Sequence, residues 1–249
     1  MNVRQDSGLN PSSPVPLYFQ LQEVLRRKIA AGDYAPGELI PTEKELQEQY
    51  GVSRITVRNA MNGLVFEDLL VKKQGYGTIV AKPRIVEDFA SLLSFTEKMK
   101  GQGLSPESFE TRVLKVERIS ASQRIRDHLA LSGEDAVIYV KRLRLLNGEP
   151  ISVFESYIRG GLGIGEDEDF SGSMYEIFEK DHGLVIVGAE KTIEASSAQG
   201  DEIACLDLRE GDPILLIKHT TFTEDNVPIE YAEGVYRADR YKYVVRLKR

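Results

Sequence analysis

Residues 37–64 read GELIPTEKELQEQYGVSRITVRNAMNGL, and this stretch decides the architecture of the front of the chain. Thr42 precedes Glu45 by three residues. At that spacing a hydroxyl caps backbone N–H groups and a carboxylate returns the bond, so a helix starts here. It carries Leu46 and Tyr50 and ends at Gly51. Ser53 caps a second helix almost at once. Val57, Ala60, Met61 and Leu64 recur at three- and four-residue spacing as its buried stripe. Two capped helices around a tight turn make a helix-turn-helix.

The flanks complete the unit. Upstream, Pro16 opens a helix with Leu17, Leu21, Val24, Leu25 and Ile29 on one face, and Gly32 stops it. Downstream, Leu69–Lys73 and Thr78–Val80 are β-prone runs flanking Gln74-Gly75-Tyr76-Gly77, the pattern of a hairpin. The order helix, helix, turn, helix, hairpin predicts a winged helix-turn-helix over residues 16–81. Residues 1–15, polar and rich in Ser and Pro, read as a disordered tail. Residues 82–89, around Lys82-Pro83-Arg84, read as a linker.

Residues 90–249 read as a second domain of mixed elements. Strands are predicted at 109–119, 136–146, 150–158, 184–195, 213–223, 228–236 and 241–247. Helices are predicted after Ser94 and at 122–131, 173–181 and 197–206. Asn147-Gly148 is a strong hairpin turn signal. Strands joined by hairpins imply an antiparallel sheet, so the fold class is α+β.

Composition narrows the function. The chain has 249 residues and a formal net charge of −7. That charge is unevenly spread: residues 1–82 hold 10 Lys+Arg against 9 Asp+Glu, and the remainder holds 22 against 30. The front third is therefore free to approach a polyanion. No apolar run reaches the roughly 18 residues of a membrane helix, and the N-terminus lacks a signal-peptide core. The lone Cys205 closes no intramolecular disulfide, so a cytoplasmic location is expected. Cys205 lies in an apolar helical stripe and reads as packing. His128, His182 and His219 have no metal-ligand spacing. The first two read as solvent groups. Glu166-Asp167-Glu168-Asp169 reads as a flexible acidic loop. No cofactor motif, metal site or catalytic residue is expected.

The second helix of such a pair enters the major groove by its N-terminal end. Here it begins Ser53-Arg54-Ile55-Thr56-Val57-Arg58. Arg54 and Arg58 share a face and are shaped to grip guanine, while Thr56 suits a phosphate or a thymine methyl. Lys44, in the first turn of the preceding helix, is placed for a phosphate. The wing tip Gly75-Tyr76-Gly77 allows close approach to DNA. A solvated helix face and a plain hairpin turn are the competing readings of these residues taken singly; the assembled motif favours DNA.

In the second domain Arg142 and Arg144 alternate by two and project from one sheet face. With a simple two-residue turn at Asn147-Gly148, Glu155 and Tyr157 fall on that face too. Two readings stand: an anionic ligand gripped by the arginines, or an exposed face with Arg142 neutralised by Glu155. Ser94 and Ser173 each begin a helix, which offers free N–H groups to an anion but is usually only structural.

PLYFQLQEVLRRKI, the 37–64 stretch and QGYGTIVA together resemble the DNA-binding domain of the GntR family of bacterial transcription regulators. SFTEKMKGQG, YVKRLRLLNGEPISVFESYI, SMYEIFEKDHG and PIEYAEGVYRADRYKYVV resemble the UTRA effector domain of its HutC subfamily. The resemblance implies a homodimer on an inverted-repeat operator, contacted through Lys44, Ser53, Arg54, Thr56, Arg58 and the wing residues Gly75, Tyr76 and Gly77. It implies a small effector, often a sugar phosphate. The phosphate would be held by Ser94, Phe95, Thr96, Arg142, Arg144, Ser173 and Tyr175, with Glu155, Glu230 and Tyr236 facing the sugar. The sequence departs from the family at Glu67-Asp68, where a Glu-Gly pair is common, and at Arg159-Gly160-Gly161, where a Pro is usual.

The function expected is a repressor released from its operator by a sugar phosphate such as an amino-sugar 6-phosphate, through a changed spacing of the two DNA-binding domains. The UTRA fold also resembles that of chorismate lyase. A lyase-like enzyme with a fused DNA-binding domain is therefore an alternative, as are a regulator with a non-phosphorylated effector and a DNA-binding scaffold with an empty pocket.

Overall fold

A computed structural model describes residues 9–82, 84–88, 92–133, 135–245 and 247. The chain forms two compact units that divide between Pro83 and Arg84.

In the first unit, α1 (Leu17–Ala31), α2 (Glu43–Tyr50) and α3 (Arg54–Phe66) are followed by the hairpin β1 (Leu70–Lys73) and β2 (Gly77–Val80). Local chemistry sets each boundary. Gly32 ends α1 in the left-handed region, φ 84°, and its N–H reaches the Ile29 carbonyl. The Thr42–Glu45 box forms in both directions. Ser53 accepts from the Thr56 N–H at 3.2 Å. Leu21, Leu25, Leu46, Val57, Met61, Leu64, Leu70 and Val80 close one core beneath the three helices and the hairpin. Glu67 clamps α1 by accepting from Arg26 at 2.6 Å. Its neighbour Asp68 adopts φ 59°, which accounts for the Gly common at this position in the family.

Two segments differ from expectation. Residues 1–8 of the predicted tail lie outside the described residues. Residues 9–15 are held in place: the Gln20 amide bonds the Asn10 and Val15 carbonyls, and Leu9 packs on the core. The predicted linker carries a strand, β3 (Ile85–Asp88). It pairs in parallel with β10 (Tyr241–Val244), so β10 does not extend the main sheet.

The second unit is built on one six-stranded antiparallel sheet. Its strands are β4 (Phe109–Ser120), β5 (Ala136–Leu146), β6 (Glu149–Arg159), β7 (Ile186–Ser197), β8 (Pro213–Thr223) and β9 (Pro228–Arg237), in the spatial order β4-β5-β6-β9-β8-β7. On one face, α4 (Phe95–Gly101) and the β3/β10 pair pack over Phe154, Ile217 and Tyr236. On the same face, α6 (Met174–Glu176) and the π-helical turn Ile177–Asp181 pack over Ile138, Val140 and Ile158. The opposite face carries α5 (Gln123–Leu129) on Val137, Tyr157 and Tyr231, and α7 (Asp201–Leu206) on Leu143, Leu145 and Val153. Cys205 packs beside α7's cluster.

The hairpin register corrects the sequence reading. Asn147 and Gly148 make the expected turn, both with positive φ. A bulge then leaves Ile151 unpaired, so Arg144 faces Ser152 and Arg142 faces Phe154. One extra residue flips every later side chain of β6 to the other face. Glu155 and Tyr157 therefore lie on the face opposite the arginines.

His128 is exposed, as its sequence reading has it, whereas His182 and the acidic loop are more tightly held than expected. His128 stacks on Tyr231 with ring centroids 3.9 Å apart. His182 bonds Glu168 at 2.7 Å, and Glu166 accepts from the Arg118 N–H. Gly160 is required where it stands, since a Cβ there would lie 2.3 Å from the Ala136 carbonyl oxygen.

Candidate functional sites

In the first unit the outward side of α3 presents Arg54, Ile55, Arg58, Asn59 and Asn62, all exposed. Arg54 is largely free to move, 77% exposed, with only a 3.2 Å contact to Glu43. The Thr56 hydroxyl is held 2.8 Å from that of Ser53, at the mouth of the helix. Lys44 is exposed in the first turn of α2. At the wing tip, Gly75 and Gly77 take φ 72° and 131°, and Tyr76 between them stands 63% exposed. Lys72 reaches Asn62 at 2.7 Å and so ties the wing to α3. Ile55, 70% exposed in the first turn of α3, went unread in the sequence.

The second unit holds a cavity of about 540 Å³ over the sheet. Arg142, Arg144, Phe154, Ser156, His219, Glu230 and Tyr236 contribute from the strands. Ser94, Phe95, Thr96 and Lys98 stand at one wall, Ser173, Met174 and Tyr175 at another, and Gly188, Ala189 and Lys191 of β7 at the edge. Of the ten ligand residues predicted, nine are gathered here. The tenth, Glu155, is not: the β6 bulge turns it to the far face, where it pairs with Lys141 at 3.0 Å.

The two arginines are unusual in their solvation. Arg142 is buried, and its best contacts are 3.4 and 3.5 Å to the Phe170 and Gly172 carbonyls. Arg144 is sandwiched between the rings of Phe95 and Phe154, each 4.1 Å from its guanidinium carbon. The Nε atoms of both lack hydrogen-bond partners among the described residues. Burial, then the neighbouring Arg144 charge, pushes the Arg142 pKa down to about 10. Arg142 is thus not the solvated, Glu155-neutralised group of the competing reading.

Across the floor, Glu230 is buried, accepts from Thr221 at 3.3 Å and lies 3.6 Å from His219 Nε2. Burial pushes its carboxyl up, but the bond and charge of His219, with Arg142 beyond, outweigh that and hold it below the usual range. Burial lifts the Tyr175 phenol to about 12. Ser94 and Ser173 cap α4 and α6, accepting from Glu97 and Glu176. The arrangement offers cations at one end and a buried acceptor with hydroxyls at the other.

Residues 17–80 match the model of bacterial regulatory proteins of the gntR family, and residues 105–242 match the UTRA domain. The HTH-type transcriptional repressor NagR of Bacillus subtilis is 35% identical over 95% of this chain and 97% of its own.

The chain belongs to the GntR family, UTRA-domain branch.

Another family relative, the mannosyl-D-glycerate transport/metabolism system repressor MngR of Escherichia coli, is 31% identical over 94% of this chain and 97% of its own. The GntR fold is matched by the crystal structure of PhnF from Mycobacterium smegmatis, with TM-score 0.67 over 91% of this chain and 98% of that one, at 24% identity. The protein is a DNA-binding transcription regulator of the repressor type. GntR regulators bind operator DNA and small-molecule effectors. Among the described residues, no helix is long and apolar enough to cross a membrane.

Proposed function

We propose that this regulator is a homodimeric repressor released from an inverted-repeat operator by a phosphorylated sugar, such as an amino-sugar 6-phosphate. The observation that carries the effector reading is the pair of cavity guanidiniums, Arg142 buried and Arg144 partly buried between two rings, neither of which forms an ion pair with a carboxylate among the described residues. A buried cation with a second one beside it is costly without an anion, and a phosphate offers each a charge-assisted bond. Ser94, Thr96, Ser173 and Tyr175 add hydroxyls around the same space. Glu230, kept ionised, accepts from sugar hydroxyls or an amine at the far end, while Tyr236, in register with Ser152 and so with Arg144, stands at the arginine end. Nothing in the lining resembles an activated nucleophile, and the lyase reading has no observation in its favour.

On DNA, Arg54 and Arg58 read base edges and Lys44 grips phosphate. Ser53 and Thr56 fix the mouth of α3, and Gly75-Tyr76-Gly77 follows the backbone of the adjoining groove. Coupling to the effector runs through Lys98. Its ammonium lines the cavity and bonds Glu87 of β3 at 2.8 Å, four residues past the division between the units. Filling the cavity pulls on this pair and changes the spacing of the two recognition helices.

The test is calorimetry of the full-length protein with D-glucosamine 6-phosphate and with D-glucosamine. Binding of the phosphate ester alone supports the reading. Equal affinity for the two rules the phosphate out.

A further inference from the structure

The cavity has a charge balance as well as a shape. Its lining holds four cations, Lys98, Arg142, Arg144 and Lys191, against the carboxylate of Glu230. Glu87, buried at 3% exposure behind Lys98, offsets a second charge. Among these lysines, arginines and carboxylates, two positive charges are left over. Lys191 is the residue that makes the surplus two. It sits on β7 opposite His219 in register, so it shares the cavity face. Among the described residues its ammonium has no hydrogen bond or ion pair. Lys98 and Arg144 are the nearby like charges, with Glu87 the only acid acting on it across that space.

We infer that Lys191 is a specificity residue that makes the cavity select a dianion, a phosphate monoester, over a monoanion of the same size such as a sulfate ester or carboxylate. This rests on the phosphorylated-effector reading above and extends it. A phosphate monoester carries about −1.5 to −2 charges near pH 7. It cancels the surplus. A sulfate ester presents the same tetrahedral oxygens to Arg142 and Arg144 but one charge fewer, and leaves Lys191 unanswered in a half-buried site. Burial and the two neighbouring cations hold the Lys191 pKa below its usual value, consistent with an ammonium short of a counterion.

The experiment compares D-glucosamine 6-phosphate and D-glucosamine 6-sulfate by calorimetry, on wild type, Lys191→Met and Lys191→Arg. Methionine keeps the apolar stem and removes the charge; arginine keeps the charge. Wild type is expected to prefer the phosphate by about tenfold or more, the scale of one charge-assisted bond. Lys191→Met should lose phosphate affinity, hold sulfate affinity and so collapse the ratio, and Lys191→Arg should restore it. Equal binding of the two esters by wild type, or an unchanged ratio in a folded Lys191→Met, overturns the inference while leaving an anionic effector standing. If neither ester outbinds free glucosamine, the phosphorylated-effector reading falls and this inference with it.

Discussion

Replacing Arg142 by Met should make the empty protein more stable and sharply cut the stabilisation that effector adds. The Arg142 pKa falls from 12.5 to about 10, which corresponds to about 3 kcal/mol by which the fold disfavours its charge. Both values lie above neutrality, so at pH 7 the guanidinium is charged folded and unfolded, and the whole penalty is present. It fades only as pH rises from about 10 toward 12.5. The two carbonyl contacts, at 3.4 and 3.5 Å, return little. After the packing lost with a shorter side chain, a gain of about 1–3 kcal/mol remains, or roughly 3–8 °C in Tm for a unit of this size. Effector offsets that gain. At a hundred times Kd, wild type gains about 2.7 kcal/mol from ligand. Losing two charge-assisted bonds raises Kd by about a hundredfold or more, so the variant gains only about 0.4 kcal/mol at the same concentration. Scanning calorimetry of both proteins, with and without D-glucosamine 6-phosphate, reads all four states. A lower Tm for the empty variant would show Arg142 to be satisfied without ligand. An equal ligand-induced rise in both would remove it from the site.

Lys44→Ala should weaken binding to all DNA sequences alike and reduce the slope of log affinity against log salt by about one, measured by filter binding at several salt concentrations. Arg58→Ala should instead relax base preference at one operator position by about 1–3 kcal/mol, read from selection on randomised duplexes. Gly234→Ala places a Cβ 2.7 Å from the Phe154 ring, which covers Arg144. It should cost about 1–3 kcal/mol in chemical denaturation and weaken effector binding together. Lys98→Met strands the buried Glu87 and should destabilise the fold by about 3–5 kcal/mol. The double variant with Glu87→Gln should recover most of that in the same denaturation assay.

Legibility in the sequence followed the range of the interaction. The first unit was readable because its boundaries are local: Thr42 with Glu45, Ser53 with Thr56 and Gly32 with Ile29 all act within four residues. The Asn147-Gly148 turn was readable for the same reason. What followed it was not. The Ile151 bulge is marked only by Pro150, a residue that inner strands tolerate at bulges, and its one-residue slip turns Glu155 to the opposite face. Lys191 went unread, and His219 was read only for metal spacing, because their place in the cavity depends on the register of β7, β8 and β9, which pairs residues with no local mark. β3 was taken for linker because its partner, β10, lies more than 150 residues on. All ten predicted ligand residues came from the family resemblance, and nine of them line the cavity; the residues alone had pointed to Arg142, Arg144, Glu155 and the helix starts at Ser94 and Ser173.

The central claim is control of DNA binding by a phosphorylated sugar, and fluorescence anisotropy tests it most directly. The probe is a labelled inverted-repeat duplex selected by the protein itself, titrated at saturating D-glucosamine 6-phosphate and again without it. The account predicts operator affinity weakened by about 5–150-fold, and effector affinity lowered by the same factor when operator is present. Operator affinity unchanged at saturating effector would contradict it.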